Sequence, residues 1–361
     1  LGDTDPQQPK LFLWAYDFRV IPLELISSIY EEFYHESSKK ETGTHYTPSV
    51  LVEYVLSQVL TVQRLAQRPR VLDFACGSAI FLVQAYRRIV RYEESLLRRP
   101  LTNQELRQIL RDQIAGIEVN EEAIHVAAFS LYLALLHYQE PKSILAQIAQ
   151  TDGEKPLPYI ILDANHHPVQ DSAHYNILYR GNAFSLMDSE RELIKQRLDE
   201  SSRFKGRVEW ERLYASESTL PFEPNSFDVI VGNPPWGYVK KSEVSPELHL
   251  AQEHTLRWCD VFGWSIGDKE LSQAFIARSL SLLKSDGECG LLVSAGVFLK
   301  RHRKSEEFRK RWLQNSTIEQ VTNFIHVRDM FFSSAISPFC FVQYHKGSPP
   351  SNHILEYWSV K

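Results

Sequence analysis

Four residues at the end of an apolar stretch are of types that could do chemistry. Residues 227–236 read FDVIVGNPPW, so an apolar stretch runs into Gly232, Asn233, two prolines and Trp236. Asn233 offers a carbonyl acceptor and amide donors, the prolines restrict the backbone, and the indole offers a large flat apolar surface. A tight turn needs Gly, Asn or Pro, but it does not need a tryptophan as well. The segment is therefore either a stiff turn with a packed side chain or a functional site.

A second candidate site lies in a turn of small residues. Residues 71–82, VLDFACGSAIFL, are typical of a strand, a small-residue turn and a helix, in which the backbone can approach a ligand closely. The turn lacks the Lys-Ser/Thr pair of a triphosphate loop and the three glycines of a dinucleotide site. Glu118 ends the next predicted strand, where a carboxylate can accept both ribose hydroxyls of a nucleoside, and Asp73 could accept from an amino group. Each signal alone is also typical of plain architecture, but together they favour a nucleoside-bearing cofactor.

The elements that must position these residues alternate along the chain. Predicted strands lie in the stretches PRVLDF, QIAGIEV, YNILYR, FDVIVG, GECGLLVS and PFCFVQYHKG, and predicted helices separate most of them. The alternation predicts an α/β fold with a mostly parallel central sheet and helices on both of its faces. Polar stretches at residues 140–175 and 187–224 are interpreted as insertions between core elements.

The chain divides into three predicted parts. Residues 1–68 form an N-terminal helical segment, with one helix predicted from Ile21 to Tyr34 and another after Pro48. Residues 69–346 form the α/β core, and residues 347–361 are interpreted as a C-terminal tail.

Composition excludes some classes of protein. Of the 361 residues, 43% are hydrophobic and 24% are charged, as in an ordinary globular protein. The formal net charge of −5 excludes a wholly basic nucleic-acid binder, but it allows a local basic face. Four scattered cysteines predict free thiols in a reducing cytoplasm and neither a zinc site nor a disulfide framework. Without an apolar run of transmembrane length or a signal-peptide pattern, we expect no membrane association. From the scattered cysteines we expect no bound metal.

One segment is strongly basic. LKRHRKSEEFRKRW, residues 299–312, holds seven Lys or Arg in fourteen residues and could touch phosphates. Lys300, Lys304 and Arg311 share helical spacing, which favours a solvated helix face, and Phe308 and Trp312 would form the buried side of that helix.

Several motifs follow one another in an order that resembles a known family. They are TGTHYTP (42–48), LDFACGSAIFL (72–82), GIEVNEEAIHVAAFSLYLAL (116–135), RGNAF (180–184) and VGNPPW (231–236). The chain resembles S-adenosylmethionine-dependent N6-adenine DNA methyltransferases, more narrowly the γ-class methylase domain of type I and fused type II restriction–modification enzymes. The resemblance covers residues 15–345, most of the chain. It implies a Rossmann-like methyltransferase fold, S-adenosylmethionine as cofactor, and adenine in DNA as substrate.

The resemblance gives the NPPW residues catalytic roles. Adenine must be flipped out of the duplex to expose its amino group. The Asn233 side chain and the Pro234 backbone would then each accept one N–H of that group, which localises the nitrogen lone pair, while Pro234 and Pro235 keep the turn stiff. Trp236 would stack on the flipped base, and Phe331 either covers its other face or packs in the core.

The resemblance also implies a set of residues for the cofactor. We expect it to bind between the Tyr-Thr-Pro motif, the glycine turn, the next strand end and the NPPW segment, at Tyr46, Thr47, Pro48, Asp73, Ala75, Gly77, Glu118, Asn182 and Asn233. Asn182 stands where the family usually has Asp accepting from the adenine of the cofactor. Ala79 and Phe74 replace a usual glycine and a common proline, and the Ala79 methyl could crowd the cofactor or the helix start.

Partners and alternatives follow from the same comparison of motifs. DNA is the expected partner, and the target-recognition domain that usually follows in this family is expected on another part of the protein or on another subunit. A protein-glutamine or RNA methyltransferase is an alternative, because both use Asn-Pro-Pro-aromatic turns. So is a catalytically decayed methylase that serves as a binding module.

Overall fold

The computed structural model describes residues 47–139, 142–144, 146, 157–163, 174–200, 211, 219–332 and 338–361. The helix predicted from Ile21 to Tyr34 and the candidate residue Tyr46 lie outside the described residues.

A single sheet organises the described part of the chain. Its nine strands are β1 (Val71–Asp73), β2 (Ile114–Glu118), β3 (Tyr159–Asp163), β4 (His174–Arg180), β5 (Phe227–Gly232), β6 (Leu283–Ser294), β7 (Ser316–Asn323), β8 (Phe339–Lys346) and β9 (Glu356–Ser359). They lie in the order β3-β4-β2-β1-β5-β6-β8-β7-β9. Strand β8 runs antiparallel to β6 and β7, and the other neighbours pair in parallel. The predicted mostly parallel sheet is confirmed.

Helices cover both faces of this sheet. They are α1 (Ser49–Val59), α2 (Val62–Leu65), α3 (Ile80–Leu97), α4 (Asn103–Gln113), α5 (Glu121–His137), α6 (Asp188–Glu200), α7 (Pro246–Val261), α8 (Leu271–Leu282), α9 (Gly296–Leu299), α10 (Arg303–Asn315) and α11 (Arg328–Phe331). Consecutive residues of one strand enter opposite cores: Ile230 joins α6, α7, α8 and α10, whereas Val229 and Val231 join α1, α3, α4 and α5. This double burial explains why the central strands are continuously apolar in sequence.

Some stretches differ from the sequence interpretation. The stretch 140–175 is not wholly an insertion, because it contains β3 and the start of β4, and the stretch 187–224 contains α6. Strand β7 was not predicted, and β9, within the stretch assigned to the tail, pairs in parallel with β7. These strands lie at or near the two edges of the sheet, where a strand needs less apolar sequence than at its centre. All four residues of β9 are exposed.

The basic segment folds as a half-buried helix. Helix α10 buries Phe308 and Trp312, so the predicted buried side is confirmed. Lys300 is not on that helix, because α10 begins at Arg303; its ammonium lies 3.3 Å from the buried carboxylate of Glu270. The prediction that Lys300 shares a helix face with Lys304 and Arg311 is therefore wrong.

The strand order reverses between β1 and β5. From β1 the chain continues to β2 and β4 on one side, whereas β5 and β6 extend the sheet on the other. In open parallel sheets the crevice beyond the carboxyl ends of the strands at such a point is the usual ligand site. Asp73 pairs in register with Val231 there, so the glycine turn and the NPPW segment leave the sheet side by side.

Candidate active site

The turn after β1 is tied to the end of β2 by one carboxylate. Glu118 Oε2 accepts from the backbone N–H of Gly77, and Oε1 accepts from that of Asn120, both at 2.8 Å. The turn also pairs its Cys76 N–H with the Ile117 carbonyl at 3.0 Å. Because each carboxylate oxygen offers two lone pairs, Glu118 keeps acceptor capacity after these bonds.

Two carboxyl groups are buried at this turn. Burial raises the pKa of Asp73 to about 8. The negative charge of Glu118 raises this pKa further, whereas the hydrogen bond from the Ala75 N–H lowers it. Burial also raises the pKa of Glu118, and the hydrogen bonds that its carboxylate accepts from backbone N–H groups partly offset that rise. The end of β5 lies against Asp73, since a Cβ on Gly232 would stand 2.8 Å from Asp73 Oδ1. A glycine is required there.

The turn has open space beside Gly77. Gly77 has φ +52°, and no heavy atom lies within 4 Å of where its Cβ would stand. Ala79 has φ +69° and is fully buried, so its methyl packs into the core instead of crowding the open side. Phe74, the other departure from the family pattern, is also buried and lies edge-on to Phe275 at 5.0 Å.

The Asn233 amide is held from both ends. Its Nδ2 donates to Thr47 Oγ1 at 3.1 Å, and its Oδ1 accepts from Trp236 Nε1 at 3.0 Å. The indole N–H is shared with the Leu292 carbonyl of β6 at 3.1 Å. No described residue donates to the carbonyl of Pro234. As whole residues, Pro234 is buried and Pro235 is exposed. Asn233 and Pro234, which directly follow β5, thus offer one side-chain carbonyl and one backbone carbonyl as acceptors.

Trp236 belongs to an aromatic cluster. Its ring stacks on Phe339 with centroids 5.4 Å apart and meets Phe332 edge-on at 5.5 Å. Phe331 is half-buried and lies edge-on to Phe324 and Phe339. The structure therefore brings Phe331 into the same cluster as Trp236, and sequence reasoning missed Phe339, which lies between them.

Asn182 lies in the loop after β4, and both ends of its side-chain amide are bonded. Its Oδ1 accepts from the Phe184 N–H at 2.9 Å, and its Nδ2 donates to the Ala251 carbonyl of α7 at 3.2 Å. An aspartate could not make the second bond, because a carboxylate has no N–H. The asparagine thus joins this loop to the helix that follows the NPPW segment.

Thr47 and Pro48 lead into α1. Thr47 is buried, and the Pro48 carbonyl accepts from the N–H groups of Leu51 and Val52 at 2.9 and 3.1 Å. The hydroxyl of Thr47 meets the Asn233 amide, a partner that the sequence did not predict.

A buried ion pair supports the Asn182 loop from behind. The fully buried Arg278 of α8 bonds Glu190 at 2.6 Å and the carbonyls of Ala183 and Ser185 at 2.7 Å each. Nothing in the sequence distinguishes this arginine from an exposed one on an amphipathic helix.

Within the described ranges, no group of His, Cys, Asp and Glu is arranged to hold a metal ion.

Family models match most of the chain. The model described as Eco57I restriction-modification methylase matches residues 112–331, more than half of the chain, and so includes the NPPW segment. The chain belongs to the Eco57I restriction-modification methylase family. A second model, N-6 DNA Methylase, matches residues 23–192 of this methylase chain and includes the Tyr-Thr-Pro motif and the glycine turn. The resemblance drawn from the motifs is confirmed.

Individual relatives are distant. Adenine-specific methyltransferase PglX of Streptomyces coelicolor is 23% identical over 285 residues, which are 76% of this chain and 21% of that protein. The type IIL restriction-modification enzyme MmeI, solved with DNA, is 17% identical with a TM-score of 0.57 and covers 94% of this chain and 42% of its own. A protein from Listeria monocytogenes described as a class I S-adenosylmethionine-dependent methyltransferase is 15% identical with a TM-score of 0.51. The match covers 96% of this chain and 76% of that protein.

These likenesses confirm the Rossmann-like methyltransferase fold. The methylase chain spans about a fifth of the length of its curated relative PglX. None of the helices in the described part of the chain has both the length and the apolar composition to cross a bilayer.

Proposed function

We propose that this chain is the catalytic domain of an adenine-specific DNA methyltransferase, which transfers a methyl group from S-adenosylmethionine to the N6 amino group of adenine. The observation that carries the proposal is the pairing of β1 with β5 at the sheet reversal. Because β1 and β5 are neighbours, the glycine turn and the NPPW segment leave the sheet side by side, which supports one site shared by both. Membership of a restriction-modification methylase family supports the same reaction.

The residues at the turn fit the proposed cofactor. Gly77 borders open space, and the buried Glu118 carboxylate keeps lone pairs that can accept the ribose hydroxyls. The Ala79 methyl, which could have blocked the site, points into the core. When bound, S-adenosylmethionine supplies an electrophilic methyl group on a sulfonium.

The two carbonyls account for activation of the adenine. The amino nitrogen of adenine is a poor nucleophile because its lone pair is delocalised into the ring. Asn233 Oδ1 and the Pro234 carbonyl would each accept one N–H, which draws the nitrogen towards tetrahedral geometry and localises the lone pair. The trans prolines hold both acceptors in fixed directions, so catalysis comes from positioning and not from a covalent side-chain intermediate.

The aromatic cluster would receive the flipped base. Stacking on an aromatic side chain is worth about 1–3 kcal/mol per base, which offsets part of the stacking lost from the duplex. Trp236 has one ring face against Phe339, so we assign base stacking to its other face, with Phe331 bordering the pocket.

The biological setting is part of the proposal. The relatives include restriction-modification enzymes, so we assign the chain to such a system in the cytoplasm, where its four free, buried cysteines stay reduced. The DNA sequence would be read by a target-recognition domain or subunit beyond this catalytic domain.

The test is a labelling experiment on the full-length protein purified from its own host, so that any partner subunit is retained. Tritiated S-adenosylmethionine is added with DNA, with RNA and with a glutamine-containing protein substrate in parallel. We expect label in DNA as N6-methyladenine for the parent and none for Asn233→Ala. The cofactor Kd of Asn233→Ala, measured by calorimetry, should stay within about twofold of that of the parent. Asn352→Ala, the same change at an exposed turn, is the matched control. Label confined to RNA or protein, or near-parental methylation by Asn233→Ala, would contradict the proposal.

A further inference from the structure

We infer that Thr47 and the indole N–H of Trp236 are positioning residues that fix which end of the Asn233 amide faces the adenine. The inference rests on the proposed function and deepens it. It gives Thr47 a role on the catalytic amide, whereas the motif order implied only contact with the cofactor.

The orientation of this amide decides whether it can work. A side-chain amide has a carbonyl oxygen and an NH2 group of similar size on one carbon, so a half-turn exchanges an acceptor for a donor. Adenine presents N–H donors from its amino group. An inverted Asn233 would set its own N–H groups against them, and the nitrogen lone pair would stay delocalised.

Trp236 identifies the accepting end. An indole N–H can only donate, so the Asn233 atom 3.0 Å from Trp236 Nε1 must be the carbonyl oxygen. The indole itself is held by its second acceptor, the Leu292 carbonyl, and by stacking on Phe339. A phenylalanine or tyrosine ring would stack in the same place but would have no N–H there.

Thr47 holds the other end. Its hydroxyl oxygen lies 3.1 Å from Asn233 Nδ2, and the side chain is buried. The backbone beside it is fixed, because the carbonyl of the next residue, Pro48, accepts from the N–H groups of Leu51 and Val52 in the first turn of α1. With one bond at each end, the carbonyl of Asn233 keeps a second lone pair for the substrate, beside the carbonyl of Pro234.

Three variants test the inference. Thr47→Val removes the acceptor at nearly constant shape, Thr47→Ser keeps it, and Trp236→Phe keeps a ring without the N–H. We expect Thr47→Val and Trp236→Phe each to lower kcat about tenfold, because a poorly oriented acceptor loses much of its effect. Thr47→Ser should stay within about twofold of the parent. The cofactor Kd should change less than about twofold in both Thr47 variants, which a cofactor-lining role would not allow.

A mismatched substrate separates positioning from base capture. A mismatch opposite the target adenine lowers the cost of flipping, so it rescues variants that capture the base poorly. It should leave Thr47→Val impaired, because the amide acts after flipping. Full rescue by the mismatch, or an unchanged kcat in Thr47→Val, would overturn the inference.

A double-mutant cycle measured by thermal unfolding tests the Thr47–Asn233 contact independently of enzyme activity. The Tm values of the parent, Thr47→Val, Asn233→Ala and the double variant give the coupling between the two side chains. Non-additive Tm shifts support the contact, and additive shifts overturn the inference. A parent protein that does not methylate DNA adenine would instead overturn the proposed function and the catalytic part of this inference, while the coupling still reports on the contact.

Discussion

Replacing Arg278 by methionine should destabilise the protein more than the loss of any exposed ion pair. The guanidinium is fully buried and donates to Glu190 at 2.6 Å and to the carbonyls of Ala183 and Ser185 at 2.7 Å each. It also lies over the Trp258 ring at 4.8 Å. Methionine fills a similar volume but donates no hydrogen bond, so the change leaves one carboxylate and two carbonyls without this donor.

The magnitude follows from the burial of the partner. Removing one member of a buried ion pair costs about 3–5 kcal/mol, because the other charge stays behind without compensation. The two carbonyls also lose their donor, at about 1–3 kcal/mol each, but the N–H groups of Met187 and Trp258 still bond Glu190, so we expect a net loss near the top of that range, about 5 kcal/mol. With an unfolding entropy of about 2.1 cal/mol/K per residue, a chain of 361 residues loses about 1.3 °C of Tm per kcal/mol, so we expect a drop of about 7 °C.

Thermal and urea unfolding followed by circular dichroism provide the assay. Arg88→Met is the matched control, since its ion pair with Glu53 is largely exposed (28% and 51%) and is worth at most about 1 kcal/mol. Adding Glu190→Gln to Arg278→Met should restore part of the lost stability, because a neutral amide needs no counter-charge. A Tm for Arg278→Met no lower than that of Arg88→Met would refute the reasoning.

Three further predictions concern the cofactor side of the site. The pKa of Asp73 in the folded state, about 8, is above its ordinary value of 3.8, so the folded state binds the proton more tightly than the unfolded state. The free energy of unfolding should therefore fall as pH rises from about 4 to 8, by up to about 1.4 kcal/mol per pH unit, and Asp73→Asn should flatten that slope in urea titrations at several pH values. Glu118→Ala should weaken S-adenosylmethionine binding by about 1–3 kcal/mol in calorimetry, because it removes the acceptor of the ribose hydroxyls and frees the turn; unchanged affinity would remove Glu118 from the site. Asn182→Asp should lower Tm and cofactor affinity, although a charged acceptor alone would favour the cofactor, because its carboxylate would face the Ala251 carbonyl; equal or tighter binding in calorimetry would show that this contact is unimportant.

The central elements were predictable because their sequence is constrained on both faces of the sheet. A strand such as β5, covered by helices on each side, has to be continuously apolar, and a turn that faces a ligand has to be small. Strands β3 and β9 carry no such constraint at the edges, and β9 is exposed throughout. Strand β3 pairs with β4 and strand β9 pairs with β7, and the sequence within β3 or β9 alone does not predict these partners.

The residue types of the site were predictable, but the directions of their side chains were not. The NPPW motif indicates an acceptor and a ring, yet it does not tell that Trp236 donates to Asn233 or stacks on Phe339. Thr47 and Asn233 are 186 residues apart, so only the fold shows that they meet. Arg278 lies in a helix with no local signal, and its role depends on carbonyls 93 and 95 residues away.

The pairing of β1 with β5 has a consequence for how the protein folds. Arg70 and Asp228, which bond across the starts of these two strands, are 158 residues apart in sequence. Every intervening helix and strand has to be accommodated before the centre of the sheet closes, and contacts of such long range make folding slow. Until that closure, the apolar edges of β1 and β5 lie open to other chains, which favours aggregation over folding at high concentration. A newly made chain should therefore gain its secondary structure well before it can bind a ligand, and stopped-flow circular dichroism compared with the recovery of cofactor binding would measure that delay.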